Sequence, residues 1–254
     1  MKKIFGFALA TMAIATSCKE EFEQPQDYSS FAVIHASPVS TVGADTLNVY
    51  VGDAKYTSTA IPYLTASFGP YLPVLSGSKT VNIRRKTSDS TLYVNAIDQI
   101  FEPGAIYSYF VYDTTTSATG QAKVLKLKDD LTLPQTTPTP EAKFRFLHLA
   151  PRQAAVDVTY LRTSATPNDS ITVSNKTYVG ATPDESALSA FMNVPKGIYT
   201  IKVKAAGTQT VLASLALTAA QSNGTDITQG PIYTFFISGT AKGRALALRS
   251  FKNY

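Results

Sequence analysis

The chain repeats itself, and this constrains its fold more than any other feature. Phe31-Ala32-Val33-Ile34-His35-Ala36-Ser37-Pro38 recurs as Phe144-Arg145-Phe146-Leu147-His148-Leu149-Ala150-Pro151. Leu47-Asn48-Val49-Tyr50 recurs as Val156-Asp157-Val158-Thr159. Ser76-Gly77-Ser78-Lys79-Thr80-Val81 recurs as Lys196-Gly197-Ile198-Tyr199-Thr200-Ile201, and Pro103-Gly104-Ala105-Ile106-Tyr107 recurs as Gln229-Gly230-Pro231-Ile232-Tyr233. The order is kept and only loop lengths change, so the chain is two copies of one architectural unit. Its only two histidines, His35 and His148, occupy the same repeat position.

The unit is made of strands. Val81 and Ile83 alternate with Thr80, Asn82 and Arg84; Ile201 and Val203 alternate with Thr200, Lys202 and Lys204; Val156, Val158 and Tyr160 alternate with Asp157 and Thr159. Period-2 alternation gives one apolar face per strand. Ser76-Gly77, Pro103-Gly104, Lys196-Gly197, Asn223-Gly224 and Gly230-Pro231 punctuate the strands as turns. Leu212 to Ala220 is alanine-rich enough to mimic a helix, but the repeat places a strand there. Each half is about the size of an immunoglobulin-like domain. The expectation is an all-β chain of two tandem immunoglobulin-like antiparallel β-sandwich domains.

Boundaries follow from composition. Pro134, Pro138 and Pro140 lie in a Pro/Thr-rich run that favours an extended spacer. The reading is a signal peptide over 1–17, a tether over 18–28, a first sandwich over 29–133, a linker over 134–140 and a second sandwich over 141–254. A spanning helix needs about 20 apolar residues. The run from Ile4 to Ile14 behind Lys2 and Lys3 is roughly half that, which suits a secretory leader.

The leader ends at Cys18, the only cysteine, so no internal disulfide is available. Ala15-Thr16-Ser17-Cys18 resembles the lipobox of bacterial lipoproteins, with Ala15 where leucine is usual, and the resemblance implies acylation of Cys18. Lys19-Glu20-Glu21 resembles the lipoprotein export signal of Bacteroidota, which implies the outer face of the outer membrane. The expected membrane partner is therefore a lipid anchor.

His35-Ala36-Ser37-Pro38 in the first half, and His148-Leu149-Ala150-Pro151 followed by Val156-Asp157-Val158 in the second, resemble the opening of the domain of unknown function 4397 family. The first half departs in carrying Asn48 where Asp157 stands. The resemblance runs from about Phe31 to Phe251 and implies secreted or surface sandwiches, often lipoproteins and often in tandem. It implies no activity and no catalytic residue.

Alternation puts His35 in phase with Phe31 and Val33, and His148 with Phe144 and Phe146, so both read as structural imidazoles, with Asn48 and Asp157 as candidate partners. One histidine per half and no available thiol argue against a transition-metal site. Asp129-Asp130 and Asp184-Glu185 read as solvated turns. No Gly-x-Ser-x-Gly elbow or phosphate loop occurs, and the expectation is no enzyme and no cofactor. Removing Lys2 and Lys3 takes the formal charge from +5 to +3 with scattered cations, which disfavours nucleic acid.

Binding is the expected class. Tyr63, Phe68 and Tyr71 are candidates for an exposed aromatic ledge, and sugars stack on such rings. A glycan ligand is slightly preferred on that ground, although the chain has no tryptophan. The alternative is a structural or protein-partner-binding protein of the cell envelope with no small-molecule ligand. Asp followed by Ser or Thr recurs at Thr46, Ser90, Thr114 and Ser170, resembling the O-glycosylation site of Bacteroidota.

Overall fold

The computed structural model describes residues 27–38, 46–67, 71–86, 99–113, 121–132, 141–163, 169–217 and 231–254. The leader, Cys18, Lys19-Glu20-Glu21, the linker, Phe68, Ser90 and Thr114 lie outside the described residues.

The chain is all-β, as the alternation and turns require. In the first half the strands are β1 (Tyr28–His35), β2 (Thr46–Val51), β3 (Ala54–Lys55), β4 (Ile61–Pro62), β5 (Leu72–Leu75), β6 (Gly77–Lys79), β7 (Val81–Arg85), β8 (Gln99–Phe101), β9 (Ile106–Tyr112) and β10 (Lys123–Lys128). In the second they are β11 (Glu141–His148), β12 (Val156–Arg162), β13 (Asp169–Lys176), β14 (Met192–Pro195), β15 (Tyr199–Ala205), β16 (Val211–Ala216), β17 (Ile232–Ser238) and β18 (Ala247–Lys252). The described part of the alanine-rich segment is a strand through Ala216, in β16. The one helix among the described residues, α1 (Glu185–Ser189), is capped by Asp184, whose Oδ1 accepts from the Ala187 N–H at 3.0 Å. The expected solvated turn at Asp184-Glu185 is thus a helix start.

Each half packs two sheets, and the first half adds the two-stranded ribbon β6-β8. One sheet runs β10-β9-β1-β5 against β3-β2-β4 with β7 on β2; the other half runs β14-β11-β17-β18 against β13-β12-β15-β16. Most pairs are antiparallel, but β1 and β9 are parallel, and so are their repeat mates β11 and β17. Phe31, Val33, Leu47, Val49, Val81 and Ile83 fill the first sandwich; Phe144, Val156, Val158, Ile201, Val203 and Phe235 fill the second.

A third core joins them. Ala32, Ile34, Phe110, Tyr112, Leu125 and Leu127 pack against Leu147, Leu149, Phe236 and Phe251. These residues face away from each half's own core, so the four sheets form one stack whose two middle sheets are buried on both faces. That explains why β9 and β17 carry apolar or aromatic residues on both faces, whereas one-sided strands such as β15 alternate. Phe110 and its repeat mate Phe236 meet edge to face, ring centroids 5.7 Å apart. No helix among the described residues is long and apolar enough to cross a membrane.

Candidate functional site

The chemistry-bearing side chains converge where the halves meet. Arg145 projects from β11 into the third core. It is 3% exposed, so burial pulls its pKa down while the carboxylate of Asp129 opposes that shift. Arg145 Nη1 pairs with Asp129 Oδ1 at 2.8 Å; its Nε and Nη2 donate to Thr234 Oγ1 at 3.1 and 2.8 Å; and Nη1 donates to the Ser189 carbonyl at 3.2 Å. The guanidinium lies 4.3 Å over the Phe191 ring. Asp129 Oδ2 accepts from Tyr71 Oη at 2.6 Å and from Ser108 Oγ. Thr234 Oγ1 donates to Asn253 Oδ1 at 2.8 Å, and Asn253 Nδ2 donates to Tyr71 Oη at 2.8 Å. Burial first, then Asp129, pushes the Tyr71 phenol far up, so it stays protonated and donating.

These residues are repeat mates. Ser108 and Thr234 hold equivalent positions on β9 and β17. Asp129 and Asn253 each follow the last strand of their half, with backbone N–H groups donating to Ile106 and Ile232 at 2.8 Å. Tyr71 and Phe191 each precede the strand antiparallel to β1 or β11. Asp129-Asp130 was expected to be a solvated turn. Asp130 is solvated: hydrogen bonds from Thr132, then Lys143, hold its pKa down at about 2. Asp129 is not, since its side chain is fully enclosed by the junction.

Tyr63 and Tyr71 of the expected ledge reach into the same junction, and Tyr63 and its counterpart Tyr178 each touch a buried histidine. His35 meets the Tyr63 ring edge-on at 5.5 Å, and His148 meets the Tyr178 ring at 6.2 Å. The Leu64 and Val179 N–H groups donate to the His35 and His148 carbonyls, which makes Tyr63 and Tyr178 mates. Each tyrosine crosses to the other half. Tyr63 Oη lies 3.0 Å from Ser238 Oγ; Tyr178 Oη donates to Asp113 Oδ2 at 2.7 Å. Ser238 Oγ donates to the Ala36 carbonyl, and Tyr112 Oη to the Gly180 carbonyl at 3.1 Å. Asp113 (φ 48) and its mate Gly239 (φ 108) share the left-handed backbone that ends both parallel strands. A side chain at Gly239 would meet the Ala245 carbonyl oxygen at 2.1 Å, so only glycine fits.

The structure corrects two expectations. Tyr63 and Tyr71 are half-buried, with hydroxyls turned into the junction, so they form no exposed ledge. His148 does not pair with Asp157. Its Nε2 sits 3.2 Å from the Ala154 carbonyl, and burial holds its pKa down. Asp157 lies between Val156 and Val158, which face the core, so its carboxylate points outward and accepts from the Asn175 and Gly207 N–H groups at 2.8 and 2.9 Å. Asn48, its mate, is buried on β2, and its Oδ1 receives no hydrogen bond from the described residues. Sequence reading missed Arg145 and Asp129, because neither is unusual until the two middle sheets are brought together.

A cleft of about 880 Å³ flanks this centre, lined in part by Lys128, Asp130, Glu185, Ser186 and Ser189. Its charges are engaged: Lys128 pairs with Glu102, and Asp130 with Lys143 at 3.0 Å. No aromatic ring lines it, so it offers a sugar no stacking platform. Among the described residues no group of three or more His, Cys, Asp or Glu side chains could hold a metal ion. On the outer sheet, β13 pairs only with β12 among the described strands and is exposed along most of its length. Ser170 is exposed on it. Thr46 Oγ1 is enclosed at the start of β2, which removes it as an accessible acceptor.

Comparison with known proteins places these features. No curated protein matches the chain in sequence. A leucine-rich repeat protein from Bacteroides thetaiotaomicron is 13% identical with a TM-score of 0.20, over 75% of this chain and 24% of that one; the chain thus spans about a quarter of that protein's length. The fimbrial anchor protein Mfa2 from Porphyromonas gingivalis is 10% identical with a TM-score of 0.26, over 89% of this chain and 100% of that one. A candidate cell adhesion protein from Bacteroides uniformis is 12% identical with a TM-score of 0.24, over 90% and 98% of the two chains. The model of the domain of unknown function (DUF4397) matches residues 29–159, which span the His35 and His148 motifs and reach Asp157. That match covers more than half of the sequence, and the chain belongs to the DUF4397 family.

Proposed function

We propose that this protein is a lipid-anchored component of the outer membrane's outer face that works by non-enzymatic binding, with a protein as its partner. The anchor reading rests on Cys18 and Lys19-Glu20-Glu21. The binding reading is supported by where reactive groups go. Asp113, Asp129 and Arg145 are built into the junction, where they hold one half to the other, and His35 and His148 are buried within their own halves.

The observation that carries the choice of partner is β13. Its middle, Ser170-Ile171-Thr172-Val173-Ser174-Asn175, is uncharged and free of Pro and Gly. Ile171 and Val173 pack inward on the second core, and among the described strands β13 pairs only with β12, on one of its two sides. Edges of this kind accept a strand from another chain unless charge or proline blunts them. A glycan, slightly preferred on the ledge argument, loses its platform once Tyr63 and Tyr71 are in the junction.

A photo-crosslinker placed at Ser174 in intact cells should trap a defined protein. Ser170→Lys with Ser174→Lys should abolish that capture and leave the melting temperature unchanged. Fatty-acid label should enter wild type and not Cys18→Ala. Saturable glycan binding that survives the β13 variant, or hydrolysis of any substrate, overturns the reading.

A further inference from the structure

The end of the molecule from which the N-terminus leaves has a distinct surface. Near the starts of β9 and β17, Ser108 and Asp129 meet Thr234 and Asn253; near their ends, Ser238 Oγ meets the Ala36 carbonyl. The middle strands of the two halves therefore run the same way, and β1 and β11 begin at a common end. Six large apolar residues among those described are exposed: Tyr28, Leu75, Ile100, Ile198, Val211 and Tyr254. Five of them gather at that end. Tyr28 opens β1, and Leu75 is its direct partner on β5. Ile100 lies on the β6–β8 ribbon that begins just after Leu75. Ile198 sits in the turn between β14 and β15, next to Pro195, the partner of Glu141. Tyr254 brackets Ile232 at the start of β17. Val211, at the start of β16, lies at the opposite end.

We propose that this end is a membrane-resting platform: it sits on the interfacial layer of the bilayer that carries the anchor and holds the four-sheet stack upright. The inference rests on the reading of Cys18 as the lipidated residue. Cys18 is nine residues before Asp27, where the described chain begins, so even fully extended the leash reaches only about 30 Å. A leash no longer than the strands themselves favours this end over the opposite one against the headgroups. The composition fits that layer. Tyr28 and Tyr254 are exposed there, and tyrosine concentrates at membrane interfaces because one end of the ring is apolar and the other wet. Lys79 and Lys252 belong to the same end, where cations suit phosphate headgroups. Of the acidic residues there, Glu102, Asp130 and Asp169 are each ion-paired, with Lys128, Lys143 and Arg162, while Asp27 and Glu141 add two further carboxylates. An upright stack leaves β13 running away from the membrane along its full length.

The test uses the full-length lipoprotein in vesicles of phosphatidylethanolamine and phosphatidylglycerol. Cys18 is the only cysteine, and acylation occupies its thiol, so a single introduced cysteine carries a polarity-sensitive dye. Dyes at Ile100→Cys and Ile198→Cys should shift to the blue on vesicles. Lipids bearing nitroxide near the headgroup should quench them several-fold more than a dye at Val211→Cys. Tyr28→Ser with Tyr254→Ser should reduce the quenching at Ile198→Cys without releasing the protein. Equal weak quenching at all three sites, in protein that floats with the vesicles, overturns the platform and leaves the anchor standing. Protein that stays in the aqueous phase with a reactive Cys18 thiol overturns both.

Discussion

The two halves present the same set of positions to one another and fill them differently. The first offers Ala32, Tyr71, Ser108 and Asp129; the second offers Arg145, Phe191, Thr234 and Asn253. Where a symmetric contact would set like against like, the junction has a carboxylate on one side and a guanidinium on the other, a phenol on one side and a bare ring on the other. The hydroxyls Ser108 and Thr234 are kept in both and bind both charges. The crossing tyrosines diverge in the same manner. Tyr178 reaches a carboxylate, Asp113, that also pairs with Lys123 at 3.2 Å, whereas Tyr63 reaches the neutral Ser238. The difference teaches that specificity between the halves sits in a few polar positions, while Phe110 and Phe236 keep the apolar part nearly symmetric.

The largest test removes one side of the charge asymmetry. Arg145→Ala puts the residue type of its mate, Ala32, into the second half and leaves Asp129 buried without its counter-ion. Breaking a buried pair this way costs about 3–5 kcal/mol, read as a drop in the urea midpoint. Adding Asp129→Asn makes the two halves match at both positions, and most of the loss should return. If the double variant is as unstable as Arg145→Ala alone, the asymmetry is not what holds the junction.

The tyrosines give a smaller, graded comparison. Tyr178→Phe removes a hydrogen bond to a charged group and should cost about 1.5–3 kcal/mol, against about 0.5–1.5 kcal/mol for Tyr63→Phe, whose partner is neutral. Equal losses in denaturant melts would mean that the mates are energetically interchangeable.

The smallest effect is a pH dependence confined to one histidine. Burial depresses the folded pKa of His148 below its ordinary value of about 6.5. The unfolded chain then binds the proton more readily than the folded one. Stability is complete above pH ~6.5 and falls as pH drops from there toward the depressed folded value. His148→Gln should flatten that part of the stability–pH curve, and an unchanged slope would exclude His148 as its source.

The sequence made the outer sheets legible and left the middle ones opaque. Val81 and Ile83, Val156 and Val158, and Ile201 and Val203 alternate because one face of their sheets meets water. Ile106-Tyr107-Ser108-Tyr109-Phe110 and Ile232-Tyr233-Thr234-Phe235-Phe236 do not alternate, and that lack of period is the mark of burial on two faces. The proline-rich run between the halves encouraged a picture of separate units, which hid the third core. Tyr71 and Tyr63 looked like surface aromatics for the same reason, since the face that covers them is supplied by the other half. His148 and Asp157 are close in sequence, yet His148 is in phase with the core-facing Phe144 and Phe146 while Asp157 points outward. Spacing alone does not reveal that.

The reciprocal contact has the form of a homodimer interface enclosed in one chain. In a true homodimer every substitution appears twice, so an arginine at the position of Arg145 would be matched by a second arginine on the partner, with no aspartate supplied unless it too appeared twice. Duplication within a single chain lifts that constraint. One copy can gain a cation while the other keeps the anion, and the contact becomes a lock and key where it began as a mirror.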